Sequence, residues 1–571
     1  MASASNTPGK RVCVIGTGAL GLVAIKNLTE QGLDVTAFER SHQLGGTWGW
    51  TLDKPDQVTA TELTTSNTSK QTNCFTDFPF PDDAALHPTS QEVGDYMLSY
   101  AKHFDLLSRI HFSTKVAKVE RDESSGKWVV HTESSSHDGA SQTQQLTFDR
   151  VVVATGIFQR RKMVDIPDTE KFEGDVVHSR DFKDPYKYAG KNVMVIGIGA
   201  TGADTTSFLK KVGAANIYLS HRSQTYLLPR VIQGKAFDHS MSYRMGCILR
   251  FISGWTPGLF MGMMAKGMQA AQQKAFPWLK THASFSAPRP PPSAPMLHKI
   301  PIFSDDLAYN LRDGIVKSVA SVRRAVGPRA VELDDGSVLD NLDAIVVCSG
   351  YHYDFSVVPG AGNPVDPARA PDGYVRIRAA PHYEADNPFP RLYRGYISEA
   401  YPDSLAFLGH FVVLGPTWVT YDLATMALAS LWAGRAPPPT RPEIEADIEA
   451  HYAFMVAALH RDRVPHLGVR VRGGETIDWL NDAAGTGLPR LLGSWSIAAC
   501  RLWWSDRRFY NLLMDGVNLP AVYRLFDESR TGARGGRVPW SGARAHIEKT
   551  NEEVRRMGEK WKQDEKKKKT T

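Results

Sequence analysis

RVCVIGTGALG, Arg11 to Gly21, and KNVMVIGIGATG, Lys191 to Gly202, decide how this chain folds. In each, an apolar run reads as a buried parallel strand, and three glycines follow it in the spacing GxGxxG. A stretch that reads as a helix comes next in both. Gly16, Gly18 and Gly21, and again Gly197, Gly199 and Gly202, suit a tight turn, close approach of backbone to a pyrophosphate, and close packing of helix on strand. The free N–H groups at the helix start then face the phosphates. Two such units about 180 residues apart predict an α/β protein with two dinucleotide-binding, Rossmann-like domains.

The strand after each glycine loop says which dinucleotide it takes. DVTAFER ends in Glu39, placed to accept hydrogen bonds from an adenosine ribose. The run SHQLGGTWGW follows, where Gly45 and Gly46 let the chain pass close to a ligand beside Thr47 and the aromatic wall of Trp48. FDRVVVATGIF supplies another strand that ends at Thr155 and Gly156, and LDAIVVCSGYHYD repeats that element. In the second unit, NIYLSHR offers Ser220, His221 and Arg222 where a carboxylate would clamp a free ribose hydroxyl. A guanidinium pairs with a 2′-phosphate that a carboxylate would repel, so NADPH is expected in preference to NADH. Arg230 is a second candidate for that phosphate. NADPH delivers a hydride that side chains cannot store, which points to FAD as the first cofactor. No cysteine pair is present to relay electrons onward, and dioxygen becomes the expected acceptor.

The chain resembles the flavin-containing monooxygenases. Both glycine loops match that family's FAD and NADPH fingerprints, and FEGDVVHSRDF, Phe172 to Phe182, is close to its FxGxxxHxxxY/W signature. NCFTDFPFPDD, Asn73 to Asp83, is characteristic of it, and VCSGYHYD looks like its FATGY element. The similarity runs in order from about residue 10 to 435. It implies an NADPH- and oxygen-dependent enzyme that oxygenates a nucleophilic nitrogen or sulfur of a small organic molecule, through a hydroperoxide at the flavin C4a. It also implies that Asn67 is the active-site asparagine, the other reading being a turn among Ser66, Thr68 and Ser69. His178 reads as positional. The rivals are a Baeyer–Villiger ketone monooxygenase, which Phe182 and the NCFTDFPFP stretch disfavour, and a peroxide-producing NADPH oxidase or flavin-binding scaffold.

The expected domains are residues 1–185 for the first part of the FAD domain, 186–340 for the NADPH domain with a helical insertion at 241–287, 341–435 for the return to the FAD domain, and 436–571 for a mainly helical extension. The insertion is rich in Met, Phe and Trp, a composition that suits either core or an adaptable pocket. PRPPPSAP, residues 288–295, reads as a stiff connector. Asp422 is an unusual polar residue in an apolar run, where it either caps a helix or points to the cofactor.

At 571 residues the chain needs two or three cores, and a net charge of +6 is modest for that length. Much of the basic character sits in Lys566 to Lys569, so nucleic acid is not expected as a partner. Five scattered cysteines without a CxxC argue for a reducing compartment and no metal. The apolar runs Ile248 to Met263 and Phe411 to Trp432 are broken by Arg, Gly, Pro or Asp, and no membrane-spanning helix is expected from either. Peripheral membrane contact through the first stays open. The final KKTT matches a retrieval signal for the endoplasmic reticulum, which has meaning only on a membrane-attached protein. The expected location is therefore cytoplasmic, or the cytosolic face of that membrane. The tail TNEEVRRMGEKWKQDEKKKK reads as an exposed helix that frays.

Overall fold

In the computed structural model, which describes residues 10–49, 59–135, 141–222, 224–282, 298–412, 416–465, 467–469, 472–493, 496–527 and 537–570, two sheets carry the two glycine loops. The first has seven strands in the order Leu392–Tyr393, Ile397–Ser398, Leu405–Phe407, Arg150–Val153, Arg11–Ile15, Asp34–Phe38, Ile110–His111. Its five strands from Leu405–Phe407 onward pair in parallel, and only the two outer strands beyond Leu405–Phe407 run antiparallel. Buried on both faces, the parallel strands are nearly continuous apolar runs, as parallel sheets require. Helices Ala19–Glu30 and Thr417–Trp432 share one core on this sheet with Phe75, Tyr96 and Tyr100. The second of these helices buries 14 of its 16 residues, which explains its apolar composition without a membrane.

The second sheet has five strands, all parallel: Val316–Val319, Asn216–Ser220, Asn192–Ile196, Ala344–Val347 and Asp175–His178. It thus draws strands from both sides of 186–340. The strand of the HSxxF fingerprint forms one edge, and the strand before Cys348 lies beside the glycine-loop strand. Arg150–Val153 stands in the same relation to the first loop.

The insertion folds as helices Tyr243–Trp255 and Pro257–Ala275. Its apolar residues divide: Tyr243, Phe276 and Leu279 are buried in core, while Phe251 and Leu259 are 64% and 60% exposed, and Met245, Ile248 and Met263 are exposed as well. The proline connector at 288–295 lies outside the described residues. The extension is helical. Its last helix, Ala543–Thr570, is docked along part of its length, with Ile547 and Val554 buried. That departs from the expected frayed tail. No described helix is long and apolar enough to cross a membrane. The five cysteines are all free.

Candidate active site

Four of the six glycines of the two loops, Gly16, Gly21, Gly197 and Gly202, have a steric reason within the chain itself. Gly16 has φ +95°, and a Cβ there would sit 2.7 Å from the Ala154 carbonyl oxygen. Gly197 has φ +112°, and its Cβ would lie 2.6 Å from the Cys348 carbonyl oxygen. A Cβ on Gly21 or Gly202 would stand 1.9 Å from the carbonyl oxygen of Gly16 or Gly197, because the helix crosses its own entry turn there. Gly199 differs, since a Cβ would meet nothing within 4 Å. The open space at Gly199 suits a ligand's approach to the backbone. Neither following helix, Ala19–Glu30 nor Ala200–Lys211, has a side-chain cap or an acidic residue in its first turn. Their N-terminal N–H groups and dipoles suit a pyrophosphate.

Around the first loop, Glu39 is buried and accepts from the Thr17 N–H at 2.8 Å, the Thr17 hydroxyl at 3.0 Å and the Ser41 N–H at 2.9 Å. These bonds orient the carboxylate, and two oxygens have lone pairs for about four acceptances. The Gly45 N–H donates to the Thr17 carbonyl at 3.1 Å, bringing Gly46 (φ +55°) so close that its Cβ would be 3.0 Å from the Gly18 Cα. Thr47 and the half-buried Trp48 follow, with Trp48 packed against the first core. Thr155 and Gly156 (φ +79°) lie just past the strand Arg150–Val153, and the exposed Thr155 accepts from Gln159 Nε2 at 2.8 Å.

At the second loop, the Ser220 hydroxyl donates to the Ala320 carbonyl at 2.9 Å and is turned into the sheet. His221 is buried against the Ser318 hydroxyl at 2.9 Å. Arg222 is exposed beyond the strand end and makes no ion pair among the described residues, as an anion receptor would require. Arg230 is differently placed. It lies 3.6 Å from Asp204 and 4.0 Å from Asp305, and its Nη1 donates to the Thr65 hydroxyl at 2.5 Å. Burial pushes the Asp204 carboxyl up to about 6, against the pull of Arg230. His178 Nε2 donates to the Gly350 carbonyl at 3.0 Å while Nδ1 accepts from the Arg180 N–H at 3.1 Å. Burial lowers its pKa, and the ring is a neutral tie between the fingerprint and the Cys348–Gly350 turn.

Asn67 stands on the segment 61–72, which belongs to the first unit and faces the second. Its Oδ1 is buried and has no hydrogen-bond partner among the described residues. Leaving a buried acceptor unmatched costs about 1–3 kcal/mol, so an orphan of this kind fits a ligand group held there. The segment is gripped by residues not anticipated from sequence. Asp238 Oδ2 accepts from the Ser69 N–H at 2.8 Å, from the Ser69 hydroxyl at 2.9 Å and from the Thr72 hydroxyl. His239 Nε2 faces the Ser69 hydroxyl at 3.1 Å and Gln71 Oε1 at 3.2 Å, and burial drops its pKa to about 4. The only signal available in advance was AFDHS, residues 236–240, a polar interruption ahead of an apolar insertion.

Asp422 neither caps its helix nor points to a cofactor cradle. It is fully buried, accepting from the Thr76 N–H and hydroxyl at 2.8 and 2.7 Å and from Asn27 Nδ2 at 2.8 Å, with Arg524 of the extension 3.6 Å away.

Residues 9–361 match the family model described as flavin-binding monooxygenase-like. A protein named monooxygenase aurF, from Gibberella zeae, is 34% identical over 95% of this chain and 97% of its own length. An N-oxide-forming dimethylaniline monooxygenase of Mus musculus is 30% identical over 77% and 76%. Among solved structures, an S-allyl-L-cysteine S-oxygenase from Allium sativum aligns with a TM-score of 0.59 at 20% identity, covering 95% of this chain and 99% of its own. A cyclohexanone monooxygenase from Rhodococcus, bound to NADP+, aligns at 0.58 and 20% identity over 84% and 98%. At those identities the structures speak for the fold, with its two Rossmann-type domains.

Proposed function

The chain belongs to the flavin-binding monooxygenase-like family, and from that premise we propose that it uses NADPH, FAD and dioxygen to oxygenate a nucleophilic nitrogen or sulfur in a small organic molecule. The observation that carries the proposal is the uncharged Asn67 amide, with its orphaned buried oxygen, on a segment between two glycine loops. When bound, the flavin supplies two-electron and oxygen chemistry that no side chain has. The chain's own tasks are binding, orientation and exclusion of water. Gly16, Gly18, Gly21 and the oriented Glu39 hold the adenosine half of FAD. Gly46, Thr47, Trp48, Thr155 and Gly156 line its path. Gly197, Gly199 and Gly202 take the NADPH pyrophosphate, and Arg222 takes the 2′-phosphate. Asn67 holds the reacting centre by an amide hydrogen bond without adding charge. The names of two relatives, one N-oxide-forming and one an S-oxygenase, support this substrate class.

One observation favours ketone oxidation as a second reading: Arg230 bonds Thr65, two residues from Asn67. The test is common to both. The enzyme is incubated with NADPH, isotope-labelled dioxygen and, in turn, a thioether, a tertiary amine and a cyclic ketone. We expect one labelled oxygen atom in the sulfoxide or N-oxide and the other in water. A labelled lactone as the main product would select the second reading. Peroxide alone, with every substrate class, would sink both.

Peripheral membrane contact belongs to the same proposal. Phe251, Leu259, Ile497 and Trp504 are exposed, and 243–275 holds no carboxylate and four cations, of which Arg244 and Arg250 pair with Asp515 and Asp478 and leave Lys266 and Lys274 for a lipid. Such a face fits an anionic lipid surface. Co-sedimentation with anionic vesicles, lost in Trp504→Ser, is the expected result. Equal recovery with neutral vesicles, or none at all, would remove the lipid contact from the reading.

A further inference from the structure

Arg230 and Asp238 are the two roots of one β-hairpin. Strands Val231–Ile232 and Lys235–Ala236 pair antiparallel about Gln233 (φ +52°) and Gly234 (φ +76°), a two-residue turn with both central φ angles positive. One root reaches Thr65 through Arg230 Nη1 at 2.5 Å. The other reaches Ser69 and Thr72 through the Asp238 carboxylate, with His239 behind it on Ser69 and Gln71. These contacts bracket Asn67 at two residues on either side.

The tip of the same hairpin is backed by the C-terminal helix Ala543–Thr570. A Cβ on Gly234 would come within 2.5 Å of Trp561 Cβ and 3.1 Å of the Met557 carbonyl oxygen, so only glycine lets hairpin and helix approach this closely. Gly558 serves the converse purpose, leaving room for Lys235 Cε. The helix also touches the gripped segment itself, because Gln71 Nε2 donates to Glu553 at 3.3 Å.

We propose that Asp238 and Arg230 are positioning residues for Asn67, and that the C-terminal helix, by backing the hairpin that carries them, is part of the active-site apparatus. The physical case has three steps. The bonds from Asp238 are charge-assisted, and so are stronger and more directional than neutral ones. Residues 65 and 69 are fixed from outside the segment, and a five-residue span pinned at both ends leaves its centre few backbone states. Asn67 Oδ1 has no partner of its own among the described residues, so its aim is inherited from its neighbours. The Ser66 N–H, bonded to the Pro88 carbonyl at 2.7 Å, contributes to the same end from within the first unit. The inference rests on Asn67 acting at the reacting centre, as proposed above.

The test uses the full-length, flavin-loaded protein with Asp238→Asn, Trp561→Ala and Asn67→Ala. Amide hydrogen exchange across 65–72 is read by mass spectrometry, and peroxide released per NADPH oxidised is read alongside. For Asp238→Asn we expect exchange in that segment to rise about tenfold, with the strand Arg11–Ile15 unchanged, as for loss of local protection. The peroxide fraction should rise toward that of Asn67→Ala while the KM for NADPH holds. Trp561→Ala should move both readouts in the same direction by less. Wild-type exchange in Asp238→Asn would overturn the clamp. Faster exchange with an unchanged peroxide fraction would overturn its positioning role and leave the monooxygenase reading standing. Failure of the wild type to oxygenate any substrate would remove that reading, while the exchange data still judge the clamp. If Asp238→Asn does not fold, Ser69→Ala removes one of its bonds and carries the same expectations.

Discussion

Arg524→Met should be among the most damaging single changes outside the cofactor loops. The guanidinium is fully buried in the first unit, where no part of the extension that carries it was expected. Its Nε donates to the Thr76 hydroxyl at 2.9 Å, Nη1 to Glu30 at 3.1 Å and the Val538 carbonyl at 3.0 Å, and Nη2 to Asn27 at 2.6 Å. Asp77 and Asp422 lie 3.4 and 3.6 Å away, and Lys26 pairs with Asp77 and Glu30 from the other side. Two cations therefore face three carboxylates, and the substitution leaves one cation against three. Burial alone would lower the Arg524 pKa, but Asp77, Asp422 and Glu30 outweigh it and raise it, so this arginine stays charged.

Methionine replaces the apolar stem of the side chain but not the guanidinium, so the effect is chiefly the loss of charge and hydrogen bonds. Removing one partner of a buried ion pair costs about 3–5 kcal/mol, because the other charge is left unsolvated. The loss here should fall in that range, a large fraction of the 5–15 kcal/mol that typically separates folded from unfolded domains. Urea unfolding followed by circular dichroism measures it. Combined with Asp422→Asn, Arg524→Met should cost about 0.5–3 kcal/mol less than the sum of the two single changes, the coupling expected of residues in one network. A single variant within about 0.5 kcal/mol of wild type, the range of an ordinary surface change, would refute the assignment of a buried charge network. So would strict additivity of the two changes.

Three further outcomes are expected. Gly199→Ala should fold normally, since its Cβ has open space, yet raise the KM for NADPH. Gly202→Ala should lose soluble protein, its Cβ facing an oxygen at 1.9 Å; equal behaviour of the two would remove the distinction between ligand space and packing. Arg222→Gln should weaken NADPH binding by about 1.5–3 kcal/mol, the worth of hydrogen bonds to a charged group, and leave NADH untouched; an equal effect on both cofactors would take Arg222 off the phosphate. His239 titrates at about 4 when folded against an ordinary 6.5, so the unfolded chain binds the extra proton between those values. Stability should fall as pH drops from about 6.5 toward about 4, and His239→Gln should flatten that slope in urea midpoints taken across the window.

What could be read from the sequence and what could not divide by the range of the interactions. The glycine loops were legible because their pattern is local: the positive φ at Gly16 and the helix crossing at Gly21 belong to one short turn, even though the Ala154 carbonyl that also presses on Gly16 lies far along the chain. The exposed place of Arg222 was legible because a strand end fixes where the next side chains emerge, while its phosphate remains part of the proposal. The insertion was only partly legible, because Tyr243 and Phe276, which are core, look no different in sequence from Phe251 and Leu259, which face solvent. Asp422 was noticed and misread, because its partners are Asn27, Thr76 and Arg524, the first of them 395 residues away. The grip on Asn67 is likewise made of contacts such as Ser69 to Asp238, separated by 169 residues.

The extension was the least legible part, and the structure gives the physical reason. Helical positions such as Ile444, Ile448 and Leu480 join the first core, but two further contacts, buried Arg524 in the first unit and half-buried Trp561 on the hairpin of the second, are single residues aimed at different partners, with no period or spacing of their own. One plugs an ionic network under the helix Ala19–Glu30, which follows the first glycine loop. The other backs the hairpin that brackets Asn67. A segment anchored in this way ties the two units to each other. Its sequence can therefore be plain while its removal is costly, and a truncation before Arg524 should damage both the stability of the first unit and the hold on Asn67.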